Sequence, residues 1–169
     1  MSMTLNPVNE AAFQKAVQSL ETLNRAAVFH PTGTGKSCIA WKVVEAHPQT
    51  TFFWLVAGAQ RLALRQAELT RYNGGTLPGN VRFCDCEKLA AATPEQWVRL
   101  GEQKPGCIVL DCYHELSAVC WAQSVQKLLR MCPQAKVLGL GVPNGAPVCA
   151  AAQELFADCI VSHMTVAEA

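Results

Sequence analysis

Charge is scarce in this chain. Of its 169 residues only 16% are Asp, Glu, Lys or Arg, with 14 basic side chains against 13 acidic ones and a formal net charge of +1. Such a balance gives no global electrostatic footprint for nucleic acid, so any site of that kind would be a local patch. Intrinsic disorder is excluded from the other side: half of the residues are apolar, enough to offset chain entropy by burial. No apolar run approaches the ~20 residues that a bilayer-spanning helix needs. The opening MSMTLNPVNE lacks the basic start and apolar stretch of a leader. The expectation is a soluble, cytoplasmic protein with no membrane partner, and the length suits one compact domain.

Cysteine is not scarce: there are nine, an odd number. They fall mostly inside apolar runs, as with Cys107 in GCIVLD, Cys120 in SAVCWA and Cys159 in ADCIV. A free thiol there behaves as a small hydrophobe. Cys84 and Cys86 are the only close pair, and no second pair or His stands at zinc-ligand spacing. Buried, reduced thiols are the reading.

Helical spacing runs from 8 to 22 through Ala12, Phe13, Ala16, Val17 and Leu20. A short strand over 26–29 precedes a glycine-rich turn at 31–35, and helical spacing returns over 36–45. Further strands are predicted at 52–56, 81–84, 107–110, 137–140 and 159–161. The segments between them read as helices at 59–71, 86–91, 94–102, 117–131 and 147–157, with Thr93-Pro94 opening the third of these. Strands apolar on both faces, such as Phe52-Phe53-Trp54-Leu55-Val56, belong in parallel sheets covered by helices. The predicted fold is α/β in three layers, a mostly parallel sheet with helices on both faces, in a single domain over 1–169 with a helical lead-in over 1–25.

The segment His30-Pro31-Thr32-Gly33-Thr34-Gly35-Lys36-Ser37 lies between a strand and a helix and ends as a P-loop does, although His30 stands where the consensus has Gly. Its amides and the helix N-terminus would form an anion cradle over Pro31–Ser37, with Lys36 on the β/γ-phosphates and the Ser37 hydroxyl on Mg²⁺. Asp111, at the end of the strand Cys107–Leu110, is the second candidate for the metal.

With these residues and Leu110-Asp111-Cys112-Tyr113-His114 in view, the chain resembles the first RecA-like domain of superfamily-two DEAD/DEAH-box helicases over nearly its whole length. The resemblance implies a P-loop NTPase fold, ATP or ADP with Mg²⁺, and one side of a nucleic-acid strand as ligand. It also implies catalytic positions at Lys36, Asp111 and His114, and a second RecA-like domain, absent here, supplying an arginine finger. Gln14 sits where some relatives read adenine with a Gln, or is a solvated helix residue. Arg61 and Arg65, at i and i+4 near the family's phosphate contacts, read as a solvated basic face.

The departures bear on activity. Cys112 replaces the Glu that orients the attacking water, and a thiol is a poor stand-in for that carboxylate. Gly141-Val142-Pro143 replaces the Ser/Thr-Ala-Thr of the third motif, and an acid, Asp85, lies where a Thr would meet a phosphate. The expectation is a nucleotide-binding, helicase-like domain impaired in hydrolysis and unable to unwind alone. The alternatives are an ATPase subunit completed in trans by a second domain or another protein, and a non-enzymatic interaction module or helicase fragment. A small-molecule kinase is a weaker option, for want of an Arg-rich lid segment.

Overall fold

The computed structural model describes residues 3–111, 119–143, 155–156 and 158–168. Helix α1 (Pro7–Thr22) starts where Asn6 caps the Asn9 amide and Pro7 takes the first turn, a position where its missing N–H costs nothing. Then follow β1 (Arg25–Phe29), α2 (Lys36–Ala46), β2 (Phe52–Val56), α3 (Ala59–Tyr72) and β3 (Val81–Asp85). The second half contains α4 (Cys86–Ala90), α5 (Pro94–Glu102), β4 (Cys107–Leu110), α6 (Val119–Met131), β5 (Lys136–Gly141) and β6 (Ile160–His163). Thr93 and Gln96 close α5 with reciprocal side-chain to backbone bonds, the capping box that fixes a helix start.

The six strands form one sheet in the order β3-β2-β4-β5-β1-β6, each pairing parallel. Consecutive strand residues bury into opposite layers. Ala26, Val28, Phe52, Trp54, Cys107 and Val109 pack with α1, α2 and the buried Leu69 of α3. Ala27, Phe29, Phe53, Leu55, Ile108 and Leu110 pack with α4, α5 and α6. This two-sided burial is why the strands read as unbroken apolar runs. The expected three-layer α/β architecture is the observed one. The expected helix at 147–157 lies almost wholly outside the described residues, of which only 155–156 are helical there.

Because all strands run the same way, their carboxyl ends share one edge. The loop after β1, Asp111 after β4 and Val142 after β5 therefore meet there, the edge at which open parallel sheets bind ligands. Gly141 at the end of β5 has a packing reason: a Cβ on it would come within 2.4 Å of the Phe29 ring on the neighbouring strand.

No described helix is long and apolar enough to cross a membrane. Six described cysteines are free thiols: Cys38, Cys84, Cys86, Cys107, Cys132 and Cys159. Burial pushes the Cys84, Cys86 and Cys107 thiols up to about 12.

Candidate nucleotide site

The loop from Pro31 to Gly35 folds back over the start of α2. Gly33 and Gly35 take φ of +86° and +89°, a region that side chains disfavour, and so turn successive amides toward one side. Around Gly33 a Cβ would meet nothing within 4 Å, so the loop is open at that point. Gly35 stands at the N-cap of α2 and has no side chain with which to cap it.

The loop is braced from below. Thr34 Oγ1 donates to the Pro31 carbonyl at 2.8 Å, and Asn9 Nδ2 of α1 donates to the Thr34 carbonyl at 2.9 Å. Lys36 Nζ donates to the carbonyls of His30 and Pro31, at 2.7 Å each. His30 is fully buried, with Nε2 2.7 Å from Ser162 Oγ of β6. Burial, then the charges of Lys36 and His163, hold its imidazole below the usual value, so it is neutral near pH 7. In place of the consensus glycine, His30 therefore ties the loop to the sheet margin.

A cleft of about 580 Å³ opens at the loop, lined by Thr32, Gly33, Gly35, Lys36 and Ser37 on one side. Arg61, Arg65, Glu68 and Tyr72 of α3 line the other, and Asp111 lies between them. Asp111 is buried and already engaged. Its Oδ2 accepts from Arg65 Nε at 2.6 Å and from Trp54 Nε1 at 3.1 Å, and its Oδ1 faces Arg65 Nη2 at 3.4 Å. Arg65 Nη1 in turn pairs with Glu68. Burial alone would weaken the guanidinium's hold on its proton, but Asp111 and Glu68 outweigh it and the pKa is raised.

Of the residues singled out from the sequence, Thr32, Gly33, Gly35, Lys36, Ser37 and Asp111 meet at the cleft. Pro31 and Thr34 form the loop's underside. Gln14 does not line the cleft: it is exposed on α1, its amide donating to Glu10 Oε1 at 2.9 Å. Cys112 and His114 lie outside the described residues. The solvated reading of Arg65 is corrected, because its side chain is 19% exposed and paired on two sides. Asp85 is a helix cap, accepting from the Glu87 amide at 3.0 Å.

Sequence reasoning missed Asn9, Trp54, Glu68 and Tyr72. Their signals were faint. Asn9 shares the buried α1 stripe with Ala12 and Ala16, where a polar residue needs a partner. Trp54 is a buried indole whose N–H must find an acceptor. Arg61, Arg65, Glu68 and Tyr72 recur at i, i+4, i+7 and i+11, one face of α3.

No family model matches the sequence, and no curated protein matches it. Solved structures do. A hypothetical ATP-dependent RNA helicase from Sulfolobus tokodaii superposes with a TM-score of 0.64 over 95% of this chain, at 11% identity. The ATP-dependent Type ISP restriction-modification enzyme LlaBIII, solved bound to DNA, gives 0.57 over 83% of the chain at 13% identity. Domain III of the Thermotoga maritima replication initiation protein DnaA gives 0.55 over 96% at 10% identity. The chain spans about half of the helicase structure (52%), 13% of the restriction enzyme and 65% of the DnaA domain structure. At these identities the likeness is one of fold. The chain has the α/β RecA-like fold of P-loop NTPases.

Proposed function

We propose that this chain is an adenine-nucleotide-binding, helicase-like domain that takes ATP or ADP at residues 31–37. The observation that carries this reading is the loop itself. Two glycines with positive φ, an α2 N-terminus without a side-chain cap, and the Lys36 ammonium all border one cleft at the carboxyl edge of the sheet. Oriented amides and a helix N-terminus favour a polyphosphate over other ligands of similar size. Lys36 donates to two carbonyl oxygens of its own loop, and phosphate oxygens would compete with them for that ammonium with full negative charge.

Hydrolysis is proposed to be slow. Cys112 follows Asp111 where the resembling family carries the carboxylate that orients water, and loss of such a group costs ~10²- to 10⁴-fold in rate. Unwinding is proposed to need a second RecA-like domain, supplied in trans, and nucleic acid would then be gripped between the two.

The test is thermal unfolding with ATP and ADP, with Lys36→Ala as control, alongside a phosphate-release assay. Nucleotide raises the melting temperature of the wild type but not of the variant, and phosphate release stays at background. Cys112→Glu raises release modestly at best, since the resembling family also draws an arginine finger from its second domain. An unchanged melting temperature with both nucleotides would sink the proposal.

A further inference from the structure

Magnesium is the ion that the resemblance implies for this cleft, and the described residues do not fit it. Ser37 offers a hydroxyl, but the acid that would share the ion is occupied. Asp111 is 3% exposed, and each of its oxygens faces an N–H of Arg65, with the Trp54 indole as a further donor. The other described carboxylate of the cleft, Glu68, is paired with the same guanidinium. A divalent ion bound by Asp111 would have to expel a charged group that two acids and a helix hold in place.

Among the described residues, Lys36, Arg61 and Arg65 line the cleft together with Glu68 and Asp111. A guanidinium has five N–H donors in a rigid fork, and Asp111 and Glu68 engage three of them here. The remaining donors suit phosphate oxygens, which a planar guanidinium binds in pairs.

We propose that the cleft binds nucleoside di- and triphosphates as metal-free anions, with Arg65 as the fixed cation between Asp111 and the phosphates. This rests on the nucleotide-binding reading above and adds to it the form of the ligand. It also makes Asp111 an anchor for Arg65 in place of a metal ligand.

The experiment is calorimetric titration of the whole chain with ADP and with ATP, in excess EDTA and in excess MgCl₂. The dissociation constants in the two buffers agree within about threefold. Arg65→Gln weakens binding in EDTA by about tenfold or more, and Mg²⁺ then restores part of it because Asp111 is released. Arg65→Lys, which keeps the charge, retains binding in EDTA. Wild-type binding that falls about tenfold or more in EDTA overturns the proposal, and this comparison holds even if Arg65→Gln does not fold. Heat only in the presence of Mg²⁺ removes this inference and leaves the nucleotide-binding reading intact. No heat in either buffer removes both.

Discussion

The ammonium of Lys36 sits 2.7 Å from the carbonyl oxygen of His30, six residues before it in the chain. The lysine of the loop thus serves its own backbone before it meets any ligand. Two charge-assisted bonds of ~1.5–3 kcal/mol each hold it there, and a polyphosphate must exchange for them.

Lys36→Ala is therefore expected to cost nucleotide affinity and fold stability together. Binding falls by at least about tenfold, ~1.4 kcal/mol, and the carbonyls of the buried residues His30 and Pro31 lose their charged donor. Titration calorimetry and urea unfolding of the same variant separate the two effects. Equal binding by wild type and variant would remove Lys36 from the site.

Gly33 and Gly35 give a paired prediction. Both have positive φ, so alanine at either position costs ~1–2 kcal/mol in backbone strain. At Gly35 the new Cβ would also lie 2.8 Å from Asn9 Nδ2, whereas at Gly33 it meets nothing. Gly35→Ala lowers the melting temperature more than Gly33→Ala, and a reversed order would show that Asn9 does not brace the loop.

His30 should make stability fall in acid. Its folded pKa lies below the usual 6.5, so below that pH the unfolded chain binds more protons than the folded one. The contribution is fully present above about pH 6.5 and is lost as pH falls toward the folded value. Urea unfolding at about pH 7.5 and about pH 5.5 measures it, and His30→Gln reduces the difference between the two. An unchanged difference would assign the acid sensitivity to other groups.

The thiols divide by position. Cys86 and Cys107 are 0% and 2% exposed, and burial pushes both up to about 12, so iodoacetamide leaves them intact in the folded protein near pH 8. They react once the chain unfolds. Cys38 lines the cleft, one residue beyond Ser37, with its thiol 3.3 Å from the Tyr72 hydroxyl. Saturating ADP slows its alkylation, read by peptide mass, and an unaltered rate would place the nucleotide elsewhere.

The fold was legible because its signals are local. Apolar runs such as Phe52–Val56, the Pro7 and Thr93-Pro94 helix starts, and the strand–loop–helix around Gly35 each fit within a dozen residues. The loop half of the site was legible for the same reason. Its other half was not, because Arg65 and Asp111 are 46 positions apart and meet only when β2 and β4 pair. A pair at i and i+4 on a helix says nothing of what lies opposite, so Arg65 read as solvated. Gln14 shows the converse: its distance along the chain suited a base contact, but the turn of α1 points Asn9 at the loop instead.

In β2, neighbours in sequence belong to different hemispheres: Phe52 and Trp54 face the side on which α2 and α3 flank the cleft, Phe53 and Leu55 the side away from it. Truncating Phe53 would hollow out the rear layer, at ~3–5 kcal/mol, without touching a side chain that backs the cleft. The rear of the molecule is thereby free to diverge or to be re-engineered while the front that holds the cleft keeps its shape.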